Sequence, residues 1–276
     1  MKPNFESINA ISPIYAASDR ERPNLIGTGT LLDFGQARFL VTAAHVLDEY
    51  KQNQVALYIA TAGPLLELPQ PFHTTVVPPS GKRDDDRLDF AFVRLPDSLA
   101  DAVAKGRFFL PFSLIDANDR LKPRARYMFT GFPGSREKTH YGEKKVRPQR
   151  FSFTGETVLP QRMLALGIAA ETHIAVEFDR EQAFDEQGQR ACFPQAKGMS
   201  GGAVWRGDRD SHLWLKETPI HLVGIGIEDP KNKNVLVAVR IHLVLAAIAR
   251  IHPDIQKFVP KRPGFASNIT VNETLS

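Results

Sequence analysis

Short apolar runs recur along the chain, and few of them are long. Runs over 14–17, 28–32, 38–42, 55–59 and 90–95 are followed, after a break, by 127–131, 151–153, 173–178, 203–206, 221–227 and 235–240. Each has the length of a strand, and turn residues separate them. Such a series predicts an all-β chain of barrels or sandwiches. Alternating βαβ units would need long helical segments between the strands, and these are missing. Three segments have helical spacing instead. Residues 43–49 make about two turns. Residues 97–105 read as a surface helix with Asp97 or Ser98 at its N-cap. "IHLVLAAIARI", 241–251, is the most apolar and is expected to pack on the body as a terminal helix.

Between 110 and 126 the pattern loosens around two prolines and several polar residues, which marks a boundary between two β units. The expected division is an N-terminal extension and first strand (1–24), a first barrel (25–115), a second barrel (116–240), a C-terminal helix (241–259) and a polar tail (260–276), which is read as loose.

Composition narrows the function classes. The chain has 276 residues, enough for one large domain or two small ones with a real core. The formal net charge is +4, but Lys and Arg are spread along the chain with no basic–aromatic cluster. That reads as a solvated surface, and no nucleic-acid partner is expected. Cys192 is the single cysteine, so no intrachain disulfide forms. Asn9, Ser12 and Pro13 interrupt the start, and no run approaches the roughly 18 apolar residues of a membrane span. A cytoplasmic protein without membrane attachment is expected. The metal-ligand reading of Asp84, Asp85 and Asp86 is weak, because no His or Glu follows at useful spacing. The three read as a solvated loop. Neither a metal nor a cofactor is expected.

Chemistry enters with "KGMSGGAVW", 197–205. A serine hydroxyl is a poor nucleophile until a base takes its proton. The carbonyl it attacks becomes an oxyanion that needs donors fixed in advance. Gly198 permits a backbone twist other residues resist, and Gly201 and Gly202 allow close approach after Ser200. Of the eight histidines, His45 has the telling context. In "FLVTAAHVLDE" an apolar strand runs into small residues, which would hold an imidazole rigidly. In "RLDFAFVRLP", Asp89 stands at the start of an apolar strand, where a carboxylate needs a partner. Such a carboxylate fixes the tautomer of a histidine and stabilises its protonated form.

Together, "FLVTAAHV", "DFAFV" and "GMSGG" resemble the three catalytic segments of the trypsin/chymotrypsin-like serine peptidases, in that family's order and approximate spacing. "YMFTGFPGS", 127–135, resembles the strand and turn that open its second barrel. "HLVGIGIE", 221–228, resembles its substrate-lining strand. The resemblance spans about residues 12–250. It implies two six-stranded antiparallel barrels with the site in the cleft between them. It also implies roles: His45 as general base and acid, Asp89 as its orienter, Ser200 as nucleophile, and the N–H groups of Gly198 and Ser200 as the oxyanion hole.

Departures from the family refine this. Digestive members have Asp before the serine, paired with an ammonium released by cleavage. Met199 cannot make that pair, and no "IVGG"-like segment appears near the start. Met199 and Ala203 fit an intracellular or stress-type bacterial branch, or viral members, and no PDZ module is expected. The missing switch raises the expectation of an activating partner protein. The primary pocket would lie near Pro194, where no Asp favours Lys or Arg. Gly226, Ile227 and Glu228 would line the substrate strand. The resulting expectation is a serine endopeptidase acting on protein or peptide substrates. The alternative is a catalytically silent barrel that binds peptides or proteins.

Overall fold

A computed structural model of the chain describes residues 6–17, 23–48, 55–61, 63–118, 126–134, 138–140, 145–179, 183–184, 190–191, 197–207, 220–228, 234–259 and 269–274. The architecture is all-β, as expected, built on two antiparallel sheets with few helices.

The first sheet contains β1 (Ile11–Ala17), β2 (Asn24–Asp33), β3 (Arg38–Ala43), β4 (Ala56–Ala60), β5 (Leu65–Glu67), β6 (His73–Thr75), β7 (Phe90–Leu95) and β8 (Leu110–Pro111). The second sheet contains β9 (Arg126–Gly131), β12 (Phe151–Glu156), β13 (His173–Glu177), β14 (Ala183–Phe184), β15 (Arg190–Ala191), β16 (Ala203–Gly207), β17 (Ile220–Glu228) and β18 (Val235–Arg240). A separate hairpin pairs β10 (Lys138–His140) with β11 (Lys145–Arg147). The second sheet runs in the order β13-β18-β17-β16-β9-β12, with the β14–β15 hairpin beyond. A bridge between Thr157 and Val176 brings the end of β12 back to β13 and closes those strands into a barrel. The first runs β6-β7-β3-β2-β1-β4-β5, with β8 parallel to β2.

The near-continuous apolar runs have a simple cause, because their strands are buried on both faces. In β3, Phe39 and Val41 enter a cluster shared by the two sheets, while Leu40 faces the interior of the first. In β7, Phe90 and Phe92 take the shared side, and Ala91, Val93 and Leu95 the interior. The second sheet repeats the scheme: Val235, Val237 and Val239 of β18 join the shared cluster, and Leu236 and Ala238 its own interior. Each fully buried Phe or Leu contributes about 2–3 kcal/mol, and the layer between the sheets holds such residues just as the two interiors do.

Three local expectations change. Of residues 43–49, Ala44–Leu47 form a 3-10 turn and Asp48 is helical, while residue 49 lies outside the described ones. The turn's first N–H groups are bonded by Asp89, that of Ala44 to the carbonyl at 3.0 Å and that of His45 to Oδ1 at 2.9 Å. The surface helix α1 (Asp97–Ala104) has Pro96 at its N-cap, and neither Asp97 nor Ser98 caps it. Asp97 instead lies in the first turn, where its charge meets the positive end of the helix. Helix α2 (Pro160–Ala165) is short, and α3 (Ile241–Ile251) is the expected apolar terminal helix. The segment read as a loose tail is not wholly loose. Its residues 260–268 lie outside the described ones, but β19 (Val271–Glu273) pairs antiparallel with β6. β6 is otherwise an edge whose backbone groups need partners. Thr274 completes the attachment, its N–H bonding the Phe72 carbonyl at 2.7 Å and its Oγ1 accepting the Phe72 N–H at 2.9 Å.

Candidate active site

His45 and Asp89 meet at the head of β3 and β7, which are direct neighbours with Ala43 opposite Phe90. Asp89 accepts twice from His45: Oδ1 takes the backbone N–H at 2.9 Å, and Oδ2 lies 2.6 Å from Nδ1. Both acceptor positions are thereby assigned, and the ring is fixed with Nδ1–H toward the carboxylate and Nε2 outward. Asp89 achieves this with φ 40°, in the left-handed region that L-residues avoid. A non-glycine residue held there by its surroundings is a mark of functional sites. The Asp89 side chain is 9 % exposed and that of His45 is 37 % exposed. The carboxylate is sealed in while the ring edge stays accessible.

The electrostatics follow from this placement. Burial pulls the His45 imidazolium down, but the bond and charge of Asp89, helped by Asp48, outweigh it and raise the ring above its ordinary 6.5. Burial pushes the Asp89 carboxyl up, and its bond to His45 pulls it back. The pair therefore favours an imidazolium beside a carboxylate, the state a general base passes through.

Ser200 lies in a turn between described residues Lys197 and β16. Gly198 has φ 94° and Gly201 φ 87°. A Cβ on Gly198 would lie 2.8 Å from the Phe132 carbonyl oxygen. A Cβ on Gly201 would lie 2.0 Å from the Thr28 carbonyl oxygen and 2.3 Å from Thr42 Oγ1. The second contact places the turn directly on β3, three residues before His45. Among the described residues, the N–H groups of Gly198 and Ser200 meet no acceptor, whereas those of Gly201 and Gly202 bond the carbonyls of Gly226 and Met199. Gly201→Ala is expected to destabilise the fold by about 2–4 kcal/mol, from overlap and the strained φ together. Denaturant unfolding checks this.

The remaining expected positions are less uniform. Met199 is 9 % exposed and packs in the interior of the second sheet, over Gly131. It occupies an apolar slot rather than a site for a charge pair. Gly226 holds the turn, accepting from Gly201 N–H at 2.7 Å and donating to the Gly202 carbonyl at 2.8 Å. Ile227 lies at an irregularity in the β17–β18 pairing and is buried in the shared core, so it offers no open lining surface. Glu228 ends β17. Pro194 lies outside the described residues, as does Cys192.

Residues that the sequence did not single out complete the surroundings. Arg83 is 8 % exposed and lies behind the pair. It reaches Asp48, at the end of the His45 turn, at 3.4 Å, and Asp86 and the Thr75 carbonyl at 2.9 Å each. Asp86 is itself 8 % exposed and also bonds the Thr75 hydroxyl, so part of the supposedly solvated acidic run is a buried ion pair. His173, from the second sheet, bonds the carbonyl of Arg87, two residues before Asp89. The signal that could have found Arg83 is its place beside three carboxylates just before Asp89. Arg83→Met is expected to destabilise the protein by about 3 kcal/mol, because Asp86 loses its buried counter-charge and keeps only the Thr75 hydroxyl and Leu88 N–H. Adding Asp86→Asn should recover part of that loss in the same unfolding measurement.

Among the described residues, no group of three or more His, Cys, Asp or Glu is placed to hold a metal ion. No helix among them is long and apolar enough to cross a membrane.

Fold and site together define a β protein with an oriented histidine–carboxylate pair on the first sheet and a glycine-rich serine turn bonded to β2 of that sheet. No family model matches the chain, and no curated protein matches it. Solved structures similar to the chain include the following two. One comes from work on how aromatic interactions drive the coupled folding and binding of the intrinsically disordered Sesbania mosaic virus VPg protein. It is 15 % identical, with 86 % of this chain and 87 % of that one covered and a TM-score of 0.43. The other is a catalytically inactive tobacco etch virus protease complexed with substrate. It is 12 % identical, with 87 % of this chain and 81 % of that one covered and a TM-score of 0.45. Likeness at this level says nothing of what this chain acts on, and the fold is read from its own sheets.

Proposed function

We propose that this chain is a serine endopeptidase that cleaves protein or peptide substrates through an acyl-enzyme. The observation that carries the reading is the double acceptance of His45 by Asp89, backbone N–H and ring together. A surface ion pair needs neither the buried carboxylate nor the fixed tautomer.

Ser200 Oγ would attack the substrate carbonyl carbon while its proton passes to His45 Nε2. The oxyanion would lie against the N–H groups of Gly198 and Ser200. The C–N bond then breaks, and the leaving amine takes the proton from Nε2. Water attacks the Ser200 ester, giving its proton to His45. The acid is released and Ser200 regains a proton. Asp89 stays ionised throughout and stabilises the imidazolium. The single cysteine suits a reducing, cytoplasmic setting.

A mixed peptide library digested by wild type and by Ser200→Ala tests the reading. New termini in the wild-type digest alone support it. Equal digestion by both proteins, or none by either, rejects it. The latter outcome leaves a peptide-binding barrel.

A further inference from the structure

Six consecutive carbonyls, from Lys197 to Gly202, each accept a hydrogen bond. Lys197 accepts from Gly134 N–H at 2.9 Å and Gly198 from the Thr28 hydroxyl at 2.8 Å. Met199 accepts from Gly202 N–H at 2.9 Å and Ser200 from Thr28 N–H at 2.9 Å. Gly201 accepts from the Thr30 hydroxyl at 2.9 Å, and Gly202 from Gly226 N–H at 2.8 Å. In a trans peptide the C=O and the following N–H point opposite ways. Fixing the Lys197 carbonyl therefore aims the Gly198 N–H, and fixing the Met199 carbonyl aims the Ser200 N–H. These are the two donors the reaction needs.

Thr28 bonds the two carbonyls that alternate with those of Lys197 and Met199, Gly198 and Ser200, and so pins the two residues whose N–H groups are the donors. It is fully buried on β2 of the first sheet and uses every polar group it has. Its hydroxyl donates to Gly198 and accepts the Phe132 N–H at 3.0 Å. Its N–H holds Ser200, and its carbonyl accepts the Thr42 hydroxyl at 2.8 Å, which fastens the turn to the strand leading to His45. A buried hydroxyl with both its donor and acceptor roles taken has one orientation.

We propose that Thr28 is a positioning residue that holds the nucleophile turn assembled within this chain, so that the site needs no activating partner. This rests on the peptidase reading above and replaces the expectation of such a partner.

The test is the rate of covalent labelling by an uncharged fluorophosphonate, with the saturating rate and the half-saturating concentration measured separately. Purified wild type is expected to take one equivalent, with no acceleration by cell extract. Thr28→Val keeps the shape and loses the hydroxyl. Its saturating rate should fall about 100-fold, the scale of losing one oxyanion donor, with half-saturation little changed. Thr28→Ser should label within about threefold of wild type. Ser12→Ala removes another buried hydroxyl bond, to the Ala60 carbonyl on the first sheet, and should label normally while melting lower. Wild-type labelling of Thr28→Val overturns the proposal, and so does more than tenfold acceleration of wild type by extract. In either case labelling at Ser200 leaves the peptidase reading standing. Absence of labelling with and without extract rejects both.

Discussion

Ser200→Ala and His45→Ala are each expected to lower kcat by about a million-fold, and the double variant by no more than either alone. Non-additivity is the informative part. Ser200 supplies the attacking oxygen and His45 takes its proton, so either change removes one and the same step. A protein that merely binds peptides would show small, independent changes in affinity. The measurement is kcat and KM for the single and double variants on the best peptide from the library. KM should change little, because both side chains act in the transition state rather than in holding the ground-state substrate.

Asp89→Asn is expected to lower kcat/KM by about 10,000-fold near neutral pH. The geometry gives the reason. Oδ1 and Oδ2 accept from His45 at two places, the backbone N–H and Nδ1. An amide has one oxygen. If that oxygen keeps the backbone bond, the NH2 faces Nδ1 and moves the ring proton to Nε2, where it blocks the base. The pH dependence should change as well. In wild type His45 is raised above 6.5 despite its burial, because Asp89 holds its charged form. The base must be neutral to act, so the acid limb of the kcat/KM profile should lie above pH 6.5. Without the carboxylate, burial acts largely unopposed, and the residual activity should have its limb at lower pH than wild type. An unmoved limb would mean that Asp89 does not set the charge of His45.

The parts of this molecule that were legible in sequence share a property: they leave a local pattern. β3 and β7 read as strands because both faces are buried and almost every residue is apolar. Asp89 could be singled out because a carboxylate before such a strand requires a partner, and His45 because small residues follow an apolar run. The serine turn was visible through its glycines. What could not be read depends on long-range pairing. Thr28 and Thr30 look like ordinary strand residues in "GTGTLL", yet their hydroxyls bond Gly198 and Gly201, 170 and 171 residues away. Asp86 looked solvated because charge runs usually are. Only the fold shows Arg83 buried against it. β19 escaped notice because its pairing with β6 spans most of the chain and its own residues are largely polar. Ile227 was assigned to a lining strand on the pattern of its neighbours; β17 is that strand, and the burial of the Ile227 side chain in the shared core was not legible.

The central claim is that Ser200, activated by His45 and Asp89, carries the acyl group. The most direct measurement is acid quenching during turnover of an activated amino-acyl ester, followed by peptide mass spectrometry. The expected result is one acyl group per chain on the peptide containing Ser200, with none on Ser200→Ala. An acyl group on another residue, or ester turnover by Ser200→Ala at the wild-type rate, would contradict it.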